Sequence, residues 1–64
     1  MAISIKAARV NAGLTQTEVG NRVNKSKNTI VSYEAYESKP DIETALAMAA
    51  LFGMSVDDIR WTAE

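Results

Sequence analysis

The chain has no cysteine and no histidine, and these two absences remove much of ordinary protein chemistry. Without cysteine there is no disulfide framework, no thiolate nucleophile and no sulfur-based metal site. Without histidine, the commonest general base and metal ligand is missing too. Proline occurs once, at Pro40, and the aromatic residues are Tyr33, Tyr36, Phe52 and Trp61 alone. The longest mainly apolar stretch, 45–54, is about half of what a membrane-crossing helix needs, and nothing reads as a signal peptide. What is present suits a folded domain: 47% of the residues are apolar and 23% charged, unlike a disordered tail. A length of 64 residues allows one small domain, 1–64, and its modest core requires short loops. The expectation is a cytoplasmic, non-membrane, non-enzymatic module with no cofactor, no metal and no small-molecule ligand.

The net charge of −1 conceals a polarised chain. Residues 1–33 carry Lys6, Arg9, Arg22, Lys25 and Lys27 against Glu18, a balance of +4. Residues 34–64 carry Lys39 and Arg60 against Glu34, Glu37, Asp41, Glu43, Asp57, Asp58 and Glu64, a balance of −5. Affinity for phosphates comes from local cationic clusters, so a low total charge does not exclude one basic face. Chance asymmetry in a small domain explains the same numbers, and charge alone does not decide.

The punctuation along the chain predicts five short helices, at about 4–12, 16–23, 27–35, 42–52 and 56–61, and no strands. No segment of four or more residues alternates cleanly between apolar and polar. Ser4 or its neighbour opens the first helix, and Gly13 ends it. Thr15-Gln16-Thr17-Glu18 is a capping box, in which hydroxyl and carboxylate satisfy each other's backbone N–H groups. Asn24-Lys25 forms a tight turn, since Asn tolerates the left-handed conformation, and Ser26 caps the third helix. Asp41 caps the fourth, whose apolar positions Ile42, Ala45, Ala49 and Phe52 are expected to face inward. Gly53 stops it, and Ser55 starts a last helix through Ile59 to Trp61. The connections of two to six residues fit a compact all-α bundle.

The informative segment is 16–34, two short helices joined by a tight turn. Val19 with Val23, and Ile30 with Tyr33, lie one turn apart and pack inward, while Gly20 lets the second helix cross closely. The N-terminal end of that helix is then pushed outward, with Lys27, Asn28, Thr29, Val31 and Ser32 on its solvent side. Asn can bond adenine bidentately, Lys can donate to guanine, Ser and Thr adapt to either, and Val can meet a thymine methyl group. Gln16, at a helix N-terminus, is placed to hold a phosphate, and Lys25 with Arg22 adds sequence-independent attraction. A solvated polar helix end would look the same by composition.

Order and spacing add more. Leu14-Thr15-Gln16-Thr17-Glu18-Val19, then Ser26-Lys27-Asn28-Thr29-Ile30-Val31-Ser32-Tyr33-Glu34, then Lys39-Pro40-Asp41-Ile42-Glu43-Thr44 and Leu51-Phe52-Gly53-Met54-Ser55-Val56-Asp57-Asp58-Ile59 resemble the phage repressor/Cro-type (XRE-like) helix-turn-helix domains. The resemblance covers roughly residues 5–60. It implies a lambda-repressor-like bundle of five helices in which helices 2 and 3 form the helix-turn-helix and helix 3 enters the major groove. By position it implies base reading by Lys27, Asn28 and Ser32, and phosphate contact with buttressing of the recognition helix by Gln16. It also implies a partly buried salt bridge between Arg9 and Glu34, and a two-fold dimer contact through the loop before helix 5 and helix 5 itself. Arg9 fits that role, being a cation on an otherwise apolar helix.

Two positions depart from the family. Gly20 stands where a small residue, commonly Ala, is usual. Tyr36 stands near the place of a Gly in the loop after helix 3. A Tyr is unfavourable in a left-handed conformation, so either the loop takes another path or helix 3 runs longer. Lys39 is the only cation among residues 35–39 available for phosphate, and Glu37 opposes it.

Asp57 and Asp58, adjacent on a helix, do not face each other and favour the last helix dipole rather than a metal. Trp61 with Leu51, Met54 and Val56 forms an apolar patch, read as a dimer contact in preference to a cap on the core. The implied function is a phage or bacterial transcriptional regulator, a repressor that binds operator DNA as a homodimer. It is either a Cro-like standalone protein or the N-terminal domain of a longer repressor. The rival is a protein-interaction module of the same fold, such as an antitoxin or antirepressor, using the acidic second half.

Overall fold

Ser4, Thr15, Ser26 and Asp41 each stand immediately before a helix in extended backbone, and each side chain accepts the N–H three residues on. These bonds, to Ala7, Glu18, Thr29 and Thr44, satisfy donors that a helix start leaves without an intrahelical partner. The helices they open are α1 (Ile5–Asn11), α2 (Gln16–Val23), α3 (Lys27–Glu34) and α4 (Ile42–Phe52). The computed structural model describes residues 2–63. At α2 the Glu18 carboxylate also takes the Thr15 N–H at 2.9 Å, completing the capping box.

The helix ends follow the same local chemistry, with one exception. Gly13, Asn24 and Gly53 adopt left-handed backbone after α1, α2 and α4, as residues tolerant of positive φ do. After α3 the left-handed residue is Tyr36, at φ 58°. Its N–H reaches the Tyr33 carbonyl at 3.1 Å and the Glu37 N–H reaches the Ser32 carbonyl at 3.0 Å. That pair of bonds is a Schellman cap, built on a Tyr where a Gly would carry no strain. Neither alternative expected for this loop therefore holds: α3 stops at Glu34 and the chain turns sharply through Tyr36.

The core takes one fully buried large side chain from each helix, Ile5, Val19, Ile30 and Met48. Ala8, Tyr33, Ala49, Phe52 and Ile59 complete it. On α4 the inward face is carried by Thr44, Ala45, Met48, Ala49 and Phe52. Ile42 does not belong to it: its side chain is 71% exposed. It sits at the first position of α4, about 120° round the helix from Met48 at 100° per residue, and so misses the core-facing arc.

The fifth helix is also not as expected. Ser55 does cap, accepting from Asp57, but only a single 3-10 turn follows, Val56–Asp58. The chain then extends as β2 (Ile59–Arg60), which pairs in parallel with β1 (Ile3–Ser4), Ile3 opposite Ile59 and Ser4 opposite Arg60. One turn of helix gains few hydrogen bonds for the dihedrals it fixes. The extended path buries Ile59, turns Arg60 outward and brings Trp61 back to the body, where its indole N–H donates to the Val56 carbonyl at 2.9 Å. The described residues thus form a four-helix body closed by a two-strand clasp. No helix among them is long and apolar enough to cross a membrane.

The caps give the domain an acid limb. The Thr15 backbone N–H, and then its hydroxyl, hold the Glu18 carboxyl below its ordinary 4.5. The Thr44 side chain, and then its backbone N–H, hold Asp41 below 3.8. A carboxyl depressed in the folded state contributes stability that is fully present above its unfolded pKa and lost as pH falls through the folded one. The melting temperature should therefore be level from neutrality down to about pH 4.5 and fall below it. Melts of Glu18→Gln across the same range should show a shallower decline. An unchanged slope would remove the capping box as a source of the acid sensitivity.

Candidate nucleic-acid interface

The crossing of α2 and α3 is set by Gly20, which is buried. A Cβ added there would lie 2.6 Å from the Lys25 carbonyl oxygen and 3.4 Å from the backbone of Ser26. The Lys25 N–H in turn donates to the Gly20 carbonyl at 2.8 Å. The turn is thus pressed against α2 at the one position with no side chain. Ser26 then restarts the chain as α3, with Ile30 and Tyr33 in the core.

The opposite arc of α3 faces solvent. At 100° per residue Lys27, Val31, Ala35 and Asn28 fall within an arc of about 100°, and all four are exposed, Val31 by 40% despite being apolar. Thr29 and Ser32 flank this arc and are half-buried. The Thr29 hydroxyl pairs with that of Ser26 at 3.0 Å, and the Ser32 hydroxyl with that of Ser38 at 2.9 Å. Of the five residues expected to read bases, the structure gathers Lys27, Asn28 and Val31 on the open face. It engages Thr29 and Ser32 locally. Ala35 and Ser38 were not anticipated, the first for want of any polar signal and the second because it meets Ser32 only when the loop returns.

A network at the far end of α3 fixes how that face is presented. Arg9 Nε donates to Glu34 Oε2 at 2.5 Å and Arg9 Nη2 to Oε1 at 3.3 Å, with the Arg9 and Glu34 side chains only 12% and 6% exposed. Arg9 Nη1 donates to the Leu14 carbonyl at 2.8 Å, and Gln16 Nε2 to Glu34 Oε1 at 3.0 Å. Three helices thus converge on one carboxylate. The Gln16 amide is committed to the buttress, and its position at the first residue of α2 keeps it beside the end of α3.

The remaining expected phosphate contacts are dispersed. Lys25 is exposed in the turn and near enough to Asp41 to help lower its pKa. Lys39 is exposed and lines an open groove of about 360 Å³ with Ile42, Ala45, Val56 and Trp61. Arg22 lies about 200° round α2 from Gly20 and shares a shallow groove with Glu43, Thr44 and Ala47 of α4. The structure places it on the α4 side of α2 rather than beside α3.

The apolar patch is likewise rearranged. Leu51, Met54, Val56 and Trp61 are half-buried, packed against the core on one side and open on the other. The large apolar side chains left exposed on α4 are Ile42 and Leu46, the latter 51% exposed.

Residues 5–59 match the family model described as helix-turn-helix. The HTH-type transcriptional regulator ImmR of Bacillus subtilis (strain 168) is 36% identical over 53 residues, 83% of this chain and 42% of that protein. The cryptic phage CTXphi transcriptional repressor RstR of Vibrio cholerae is 33% identical over 55 residues, 86% of this chain and 50% of that protein. The chain spans about half the length of these relatives or less. No solved structure gives a significant match. The family match runs from the first residue of α1 to the first residue of β2 and takes in the Gly20 turn, the Arg9–Glu34–Gln16 network and the open face of α3: the chain belongs to the XRE-type helix-turn-helix family.

Proposed function

We propose that the chain is the DNA-reading part of a transcriptional repressor, with α3 lying in the major groove of an operator. The observation that carries the reading is the exposed arc of α3, where Lys27, Asn28 and Val31 stand clear of the body while Arg9 and Glu34 lock its far end. Lys and Asn supply donors and a bidentate amide for guanine and adenine edges, and Val supplies apolar contact for a thymine methyl group. Thr29 and Ser32 act from the rim of that face. Lys25, Lys39, Arg22 and the backbone at the start of α2 beside Gln16 supply attraction to phosphates. Two copies bind half-sites about one helical turn apart, with the open edges of Leu51, Met54, Val56 and Trp61 at their contact. Occupancy of the operator is the whole mechanism, and no catalysis is involved.

The test is selection of a duplex from a random-sequence pool by the chain, then titration of that duplex and a scrambled one at several salt concentrations. Binding should weaken steeply with salt, with a slope of about −0.9 per phosphate neutralised, and Lys25→Ala should reduce the slope by about 1. Asn28→Ala should cost about 1–3 kcal/mol against the selected duplex, confined to one base pair. An equal loss on every duplex would mean that Asn28 is not a reading residue. Absence of any selected sequence would favour the protein-binding alternative, in which Glu37, Glu43, Asp57 and Asp58 meet a basic partner.

A further inference from the structure

We propose that Tyr36 is a positioning residue for DNA reading: its hydroxyl ties the end of α3 to the start of α1 and to the clasp, and so sets the angle at which Lys27, Asn28 and Val31 are presented. The proposal rests on α3 being the reading helix. Three observations support it.

First, Tyr36 occupies left-handed backbone, where the other three helices end on Gly or Asn. Strain of this kind persists only where the surroundings over-determine it, and it collects at working sites. Second, the side chain is fully employed. The Tyr36 hydroxyl donates to the Arg60 carbonyl at 2.9 Å and accepts the Ile5 N–H at 3.4 Å, while the Arg60 guanidinium lies 5.3 Å from the ring centre. A Gly would relieve the backbone and forfeit all of these contacts.

Third, the attachment complements the one at Glu34. Glu34 binds Arg9, near the end of α1, and Tyr36 binds Ile5, its first residue. The two points lie four residues apart, about 6 Å along the α1 axis. A short helix held at one point can swivel about it, and one held at two points cannot. Reading a base edge needs side chains held to within about 0.5 Å and 10–20°. The second attachment supplies that constraint at the C-terminal end, as the pressed turn at Gly20 does at the other.

Two variants separate positioning from plain support of the fold. Tyr36→Phe keeps the ring and the backbone strain but deletes both hydroxyl bonds; Tyr36→Gly removes the strain and the tether together. Each is titrated against the duplex that the wild-type chain selects from a random pool and against its scrambled counterpart, at one salt concentration. Tyr36→Phe should lower affinity for the selected duplex about fivefold more than for the scrambled one, the scale of one hydrogen bond. Tyr36→Gly should lower the ratio at least as much, whatever happens to its melting temperature. A ratio unchanged in both variants overturns the proposal, because loss of stability alone does not alter the preference between two duplexes. Should the wild-type chain select no sequence, the DNA reading falls and the free protein decides the role of Tyr36. Backbone amide shifts of Lys27, Asn28 and Val31 should then move in Tyr36→Phe, and shifts that stay in place overturn it.

Discussion

Glu34→Ala should cost the domain a large share of its stability. The carboxylate receives Arg9 through two nitrogens and Gln16 through one, and both members of the ion pair are nearly buried. Deleting one side of a buried pair leaves the other as a desolvated charge, a loss of about 3–5 kcal/mol in general. Arg9 keeps the Leu14 carbonyl, so about 2–4 kcal/mol is expected here. A domain of this length has roughly 3–10 kcal/mol in total. The melting temperature should drop by roughly 8–32 °C, at about 4–8 °C per kcal/mol. The double variant Arg9→Met with Glu34→Leu should recover much of the loss, since an apolar pair leaves no charge stranded. A single variant that melts within the range of an ordinary surface change, about 0.5 kcal/mol, would show that the network is dispensable.

Gly20→Ala should also destabilise, although the same substitution inside a helix ordinarily gains about 0.5–1 kcal/mol. The added methyl group would stand 2.6 Å from the Lys25 carbonyl oxygen. That oxygen is backbone, held by the turn and by the Lys25 N–H bond to Gly20 itself, and cannot swing aside as a side chain would. The turn must open, and overpacking of this kind costs about 1–3 kcal/mol. Because the turn leads directly into Ser26, Lys27 and Asn28, preference for a selected duplex should fall beyond what the stability change explains. Denaturant midpoints settle the sign: a more stable variant would show that the turn accommodates the methyl group. The family resemblance alone treats Gly20 as a stand-in for Ala, and the contact distance argues that this chain requires Gly.

The four helices were legible because their ends are written in local chemistry. Ser4, Thr15, Ser26 and Asp41 at the starts, and Gly13, Asn24 and Gly53 at the stops, each act on backbone within a few residues. Gly20, Val19, Ile30 and Tyr33 could likewise be placed from spacing alone. What failed depends on distant partners. Ile59-Arg60-Trp61 alternates in and out as a strand does, but three residues carry too little periodicity to be read without their partner at Ile3. Ile42 fits an inward spacing from Ala45 and Phe52, yet the true core arc is centred on Met48. The hydroxyl pairs of Ser32 with Ser38 and Ser26 with Thr29 arise from the path of the backbone, and no motif announces the first of them.

The parallel pair of Ile3–Ser4 with Ile59–Arg60 also bears on how the chain assembles. The helices also meet across the sequence, α1 with α3 and α4 and α2 with α4, but this pairing closes a loop spanning almost the entire length. Strands of two residues contribute little to offset so large a closure entropy. They should therefore join last, after the helices have assembled the core that holds Ile5 and Met48. In the reverse direction they should be the first to let go. Amide hydrogen exchange at β1 and β2 should therefore run ahead of exchange in α3, and the hydroxyl of Tyr36, which bonds Ile5 of α1 and Arg60 of β2, marks the boundary between the part that breathes and the part that holds.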